Sequence, residues 1–324
     1  MKFSLAFLLT FCFVYKEAPA IIFNQMDIKS VLKSGALDLN VLRCFLHNKN
    51  ICPSPYIMYR LYAPKSSRHG ITLNIHNPLT LFKGDFNPHR ETAFIVHGFN
   101  GSAVDVHLQF LKDAYLSRDF NVITVDWRPL TRYPCYLHAL INTRLTAQCT
   151  AQVYSFLTHN GAVREKITCI GHSLGAHICG MISNHLSIKQ HRIIGLDPAR
   201  PLIERKKNHI FKLSIDDANV IQVIHTNAGF LGQEENIGHL NYCVNGGRFQ
   251  PFCKGNPISG RVHFGCRRSH LTGGPGNKLS QRVRTIWRKL LDEWGSLGIQ
   301  RGGYCRAKAH RLADRHDDPV ARIF

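Results

Sequence analysis

The chain has 324 residues, 44% of them hydrophobic, and a formal net charge of +20. That length can bury a large core, enough for one big α/β domain or two ordinary ones. The basic excess suits a phospholipid surface or an acidic glycan, and with no nucleic-acid motif beside it a nucleic-acid binder is set aside.

The chain opens with Lys2, an apolar run from Phe3 to Val14 and the small-x-small site Ala18-Pro19-Ala20, the pattern of a secretory leader over residues 1–20. The run is too short to span a bilayer comfortably, and no later stretch reads as a transmembrane helix. The expectation is a secreted, extracellular protein. Eleven cysteines fit that compartment, and removing the leader with Cys12 leaves ten, an even number consistent with disulfides. Cys44 and Cys52 sit close enough for a local bridge, and Cys135 and Cys149 are candidate partners. Cys169 and Cys179 are expected to be buried free thiols. No metal-ligand spacing stands out among the cysteines and nineteen histidines, and no metal or organic cofactor is expected.

Residues 21–87 read as an N-terminal β region, with Tyr56–Tyr62 and Ile71–Ile75 as antiparallel edge strands. An α/β core is expected over residues 88–258. Its first strand, Ala93–Val96, runs into His97-Gly98-Phe99-Asn100-Gly101-Ser102. A glycine-rich turn after a strand can aim backbone N–H groups at a developing oxyanion; an ordinary βα loop has the same look. Asn100-Gly101-Ser102 is also a glycosylation sequon, though a glycan beside a catalytic loop would obstruct it.

Val106–Leu116 has helical spacing, and Asn121–Trp127 reads as a second buried strand. Thr143–Leu157 reads as an amphipathic helix with Leu145, Cys149, Val153 and Phe156 near one face. Lys166–Ile170 alternates like a short strand, and Ala176–Cys179 opens a helix. Arg192–Leu196 is a further strand ending at Asp197-Pro198-Ala199, and Val220–His225 is another. Strands alternating with helices at this spacing predict an α/β fold whose mostly parallel sheet is covered on both faces.

Between strand and helix stands Gly171-His172-Ser173-Leu174-Gly175, the G-x-S-x-G of a nucleophile elbow. A serine there is an exposed candidate nucleophile, or an inert residue in a tight turn. An alkyl hydroxyl needs a base, usually histidine, and a carboxylate to fix the imidazole. Asp197 follows Ser173 by 24 residues, room for one helix and one return strand. That spacing puts it at the same sheet edge, as acid or as a turn residue before Pro198.

HGFNGS, VDW, GHSLGAH, GLDPA, and HTNAG with GHLNYCVNGGRFQPFC resemble, in order and spacing, the animal neutral lipase family. That family includes pancreatic lipase, lipoprotein lipase and the sn-1 phospholipases, with many insect relatives. The resemblance covers roughly Cys52 to Ile258 and implies an α/β-hydrolase fold. It implies Ser173 as nucleophile, Asp197 as acid, and the N–H groups of Phe99 and Leu174 as the oxyanion hole. It also implies hydrolysis of carboxylic esters of glycerolipids, triglyceride or phospholipid, through an acyl-enzyme.

The family's histidine stands two residues after the cysteine that closes a lid loop. Here Cys253 and Cys266 resemble the lid cysteines, and Arg268 occupies the histidine's place. Arginine stays protonated and cannot serve as a general base. His270, just beyond that loop, is the first substitute, and His263, just inside it, the second. A lid this short goes, within the family, with phospholipase activity. The composition changes here too: 14 of the 27 basic residues before Ser259 are lysine, but only 3 of the 14 from Ser259 onward. The basic tail, residues 259–324, leaves the family register, reads as a helix only at Arg282–Trp294 and is expected to be too short for the C-terminal β-sandwich of the vertebrate lipases. It is either a diverged tail or a last exon read wrongly, which the transcript across the codons for Pro257 to Gly265 decides. The reading from sequence is a secreted lipase or sn-1 phospholipase. The alternative is a catalytically impaired lipid-binding or storage protein.

Overall fold

The computed structural model describes residues 51–64, 69–204, 211–243 and 246–248. The leader, Cys44, His263, Arg268, His270 and the basic tail lie outside these residues.

The described residues form an eight-stranded sheet in the order β2-β1-β4-β3-β5-β6-β7-β8. β1 (Met58–Tyr62) pairs antiparallel with β2 (Ile71–Thr72) and with β4 (Asn121–Asp126). β3 (Thr92–Val96), β4, β5 (Ile167–His172), β6 (Gln190–Leu196), β7 (Ala218–His225) and β8 (Leu240–Cys243) run parallel. The mostly parallel α/β-hydrolase sheet expected from the sequence is therefore observed, with the antiparallel pair at one edge.

The strands read as unbroken apolar runs because both their faces are covered. Phe94, Val96, Ile123, Val125, Cys169 and Ile193 point to one face. They pack there with α3 (Tyr136–His159) and α4 (Leu174–Ile182) through residues such as Val153, Leu157 and Ile178. Ala93, Ile95, Val122, Ile170 and Ile194 point to the other, against Leu108, Leu111 and Tyr115 of α2 (Val106–Leu116). A short helix, α1 (Leu79–Lys83), follows the antiparallel pair.

α3 begins seven residues before the expected Thr143. Its first two turns bury little beyond Ala139 and Asn142, so they carry no apolar stripe. They are fixed instead by Asn142 Nδ2 donating to Leu130 O at 2.9 Å and by the Tyr136 hydroxyl donating to Pro201 O at 3.0 Å.

Three expectations about cysteine fail. Cys52 is bonded to Cys149, 97 residues on, which overturns both the Cys44–Cys52 and the Cys135–Cys149 pairings. Cys169 and Cys179 are not free thiols but a disulfide joining β5 to α4. They sit four residues before and six after Ser173, the turn between strand and helix, on the face where α4 packs. Cys135 and Cys243 are disulfide-bonded as well.

Asp217, just before β7, is 8% exposed, and its Oδ2 accepts the Ser214 N–H at 2.8 Å. Burial pushes its carboxyl up to about 7, against the smaller pull of that N–H. An ordinary aspartate in the unfolded chain titrates near 4. The folded protein therefore keeps a proton that the unfolded chain releases, and stability falls as pH rises from about 4 to about 7. Each pH unit crossed costs about 1.4 kcal/mol. Asp217→Asn is expected to flatten that slope and to be more stable than wild type at pH 8. Urea melts at pH 5 and pH 8 check it, and equal slopes for the two proteins would refute it.

Candidate active site

β5 climbs the middle of the sheet between β3 and β6 and ends at His172. Ser173 then turns at φ +56° and ψ −119°, and α4 starts on the next residue. A non-glycine residue in such a conformation costs roughly 1–3 kcal/mol and persists only where its surroundings enforce it. Here the Ser173 N–H donates to Leu196 O at 3.0 Å, and its carbonyl accepts the N–H groups of Ala176 at 3.1 Å and Ala199 at 3.3 Å. A Cβ on Gly171 would lie 2.2 Å from Gly175 O, one on Gly175 2.3 Å from Val96 O, and one on Gly98 2.6 Å from Ser173 Cβ. Gly171 and Gly175 face backbone, and Gly98 faces Ser173 Cβ with His172 O at 2.8 Å beside it, so each position excludes a side chain. The Ser173 hydroxyl makes no hydrogen bond among the described residues, and the residue is partly exposed.

The glycine turn after β3 lies against the elbow through Gly98. Trp127, the residue after β4, holds it. Its indole N–H donates to His97 O at 2.9 Å and its backbone N–H to His97 Nε2 at 3.0 Å, with the two rings stacked. Asp126 Oδ1 also lies 3.3 Å from that Nε2. An amide can only donate, so it takes the Nε2 lone pair. The ring proton then sits on Nδ1, 3.0 Å from Gly98 O, and the Asp126 contact is not an ion pair. Asn100, at φ +52°, donates its N–H to Thr131 O at 2.8 Å, and its Oδ1 accepts the Tyr133 N–H at 3.2 Å. With the turn pinned at both ends, the N–H groups of Phe99 and Leu174 are taken up by no acceptor among the described residues.

His172 of β5 pairs in register with Leu196 of β6, so Ser173 and Asp197 leave the sheet side by side. Asp197, at φ +49°, donates its N–H to Ile224 O at 2.7 Å. Its Oδ1 accepts the N–H groups of Thr226 at 3.1 Å and Asn227 at 3.0 Å, while Oδ2 accepts nothing among the described residues. Gly232 closes the far side: a Cβ there would lie 2.4 Å from Oδ1. His177, fully buried one turn into α4, braces the bend from below. Its Nε2–H donates to Ala199 O at 2.8 Å, and its Nδ1 accepts the Leu213 N–H at 3.0 Å.

Ser173, Asp197, Phe99 and Leu174 thus stand on three loops at one edge of the sheet, while His270 lies outside the described residues. Among the described residues no three His, Cys, Asp or Glu side chains converge as a metal site. The sequence reading passed over His97, His177 and the amides of Thr226 and Asn227. The only signal for them was that HGF, GAH and HTN stand beside the motif residues.

A family model described as Lipase matches residues 47–264. This chain belongs to the lipase family. Among its relatives, Lipase member H-B of Xenopus laevis is 34% identical over 231 residues, covering 71% of this chain and 48% of that protein. Pancreatic lipase-related protein 2 of Rattus norvegicus is 34% identical over 210 residues, 62% of this chain and 44% of that one. The chain spans about half the length of the curated relatives it matches. Among solved structures, Est1E from Butyrivibrio proteoclasticus aligns over 73% of this chain and 93% of its own at 11% identity and TM-score 0.37.

Proposed function

We propose that this chain is a secreted carboxylic ester hydrolase of glycerolipids, a lipase or sn-1 phospholipase, acting through an acyl-enzyme on Ser173. The observation that carries the reading is Ser173 at φ +56°, where its hydroxyl and the N–H groups of Phe99 and Leu174 are bonded to nothing among the described residues. Ser173 Oγ attacks the ester carbonyl as a histidine takes its proton. The carbonyl oxygen becomes an oxyanion and receives the N–H groups of Phe99 and Leu174. Collapse expels the alcohol, which leaves with the proton from the histidine, and water repeats the sequence on the acyl-enzyme. Asp197 Oδ2 orients that histidine, and its open side is what the role requires. His270 is the proposed base, with His263 the second candidate.

The lipase relatives support a glycerolipid ester as substrate. The disulfides suit an oxidising, extracellular setting, and the net charge of +20 suits contact with anionic lipid or glycan surfaces. A second reading is a lipase-like lipid-binding or storage protein without a base. Arg268 at the family's histidine position favours it.

Reaction with a serine-directed phosphonate, followed by mass spectrometry, tests the proposal. Wild type is expected to be labelled on Ser173, His270→Ala at least 100-fold more slowly, and His263→Ala at the wild-type rate. A folded wild-type protein that takes no label overturns the enzyme reading in favour of the binding protein. Slow labelling of His263→Ala with normal labelling of His270→Ala moves the base to His263.

A further inference from the structure

Asp197 Oδ1 is held by backbone that itself needs holding. The two amides it accepts open the turn 226–232, and the far end of that turn, Gly232, closes on the same oxygen. Inside the turn, Asn227 O accepts the N–H groups of Phe230 and Gly232, and Asn227 Oδ1 accepts that of Leu231. These bonds shape the turn without fixing it to Asp197.

Two contacts make that attachment: the Gln233 N–H, just past the turn, donates to Pro198 O at 2.8 Å, and Arg200 grips the turn itself. Arg200 stands three residues after Asp197 on the same bend. Its backbone N–H donates to Leu231 O at 2.7 Å and its Nη1 donates to Gly229 O. Its Nε donates to Glu204, whose Oε1 accepts the Glu234 N–H just past the turn, at 2.9 Å. On the other side Arg248 pairs with Glu234 at 2.8 Å and lies over the Phe230 ring, and Gly247 O accepts the Ala228 N–H at 2.7 Å. Both ion pairs are partly open to solvent, with side-chain exposures of 36% and 15% for Arg200 and Glu204. Exposed pairs contribute little to stability. What the Arg200 guanidinium does instead is span two acceptors from one rigid plane, Nε on Glu204 and Nη1 on Gly229 O, which fixes where the loop sits.

We infer that Arg200, with Glu204 behind it, is a positioning residue that presses the 226–232 turn onto Asp197, so that Oδ1 stays filled by two amides and Oδ2 is left to face the base. The inference rests on Asp197 being the acid of the proposed triad. Without the clamp the carboxylate swings, and the imidazolium formed in the reaction loses part of its partner. A displacement of about 1 Å at such a group costs up to about 100-fold in rate.

The test uses the full-length protein on a soluble short-chain ester. Arg200→Ala is expected to lower kcat at least tenfold with KM within twofold. It should also move the acid limb of the kcat profile to lower pH, because a less well-placed carboxylate raises the imidazole pKa less. Arg200→Lys, which can still reach Gly229 O, is expected to recover part of the loss. Glu204→Gln reads the same effect should Arg200→Ala fail to fold. Glu165→Gln, an exposed pair partner of Arg164, serves as the surface control and keeps wild-type kinetics. A wild-type protein that hydrolyses ester and takes phosphonate on Ser173, beside clamp variants with unchanged kcat and pH profile, overturns the inference alone. A wild-type protein that does neither removes the triad, and the inference with it.

Discussion

Ser173→Ala is expected to abolish ester hydrolysis, lowering kcat roughly 10³-fold to 10⁶-fold, without loss of thermal stability. The two halves of that result have different causes. The hydroxyl is the attacking atom, so nothing replaces it. It also makes no hydrogen bond among the described residues, so its removal orphans no partner. Alanine keeps the Cβ and therefore the cost of φ +56°. Ser173→Gly should lose activity equally but gain about 1 kcal/mol of stability, because glycine adopts positive φ without that cost. Ester hydrolysis and thermal melts of both variants check this. Residual activity of Ser173→Ala within tenfold of wild type would remove Ser173 as nucleophile.

Asp197→Asn is expected to lower kcat about 10⁴-fold while leaving the fold intact. Two N–H groups at 3.1 and 3.0 Å require an acceptor at Oδ1, so the new amide must place its oxygen there. Its NH₂ then occupies the Oδ2 position and points a donor at the base. The imidazole has to accept on that nitrogen and carry its proton on the one facing Ser173, where it can no longer take the serine's. Asp197→Ala should lose activity to a similar degree but also about 1–3 kcal/mol of stability, since two amides are left unpaired. Steady-state kinetics with urea melts separates the two variants. Equal stability of both would mean that the Thr226 and Asn227 bonds contribute nothing.

Much of the catalytic edge could be read from the chain because close backbone packing leaves marks in sequence. Gly171 and Gly175 are required by contacts of 2.2 and 2.3 Å, and the buried strands β3, β4, β6 and β7 are apolar runs of the length the sheet needs. Features held by polar or distant contacts left no such mark. The start of α3 rests on Asn142 and Tyr136 rather than on a stripe. β8 is only partly buried and owes its place to pairing with β7, to Asn241 beside His225 and to the bonded Cys243. Cysteine pairing was the least legible. Nearness in sequence says nothing about which face a side chain takes, and Cys52 reaches Cys149 by crossing from one edge of the chain's order to the middle. The acid's two amide donors come from backbone, which has no residue signature at all.

The Cys169–Cys179 disulfide bears on how the protein must be produced. It closes a ring of eleven residues that contains the whole elbow, and both cysteines are no more than 1% exposed. A ring of this size restricts the unfolded chain by roughly 3 kcal/mol. Once α4 has docked, neither glutathione nor an oxidase can reach the sulfurs. Material folded in a reducing host will therefore keep two thiols that later air oxidation does not join. The oxidant has to be present while the chain is still open, which makes the compartment of synthesis, rather than any refolding additive, the variable that sets the quality of the catalytic turn.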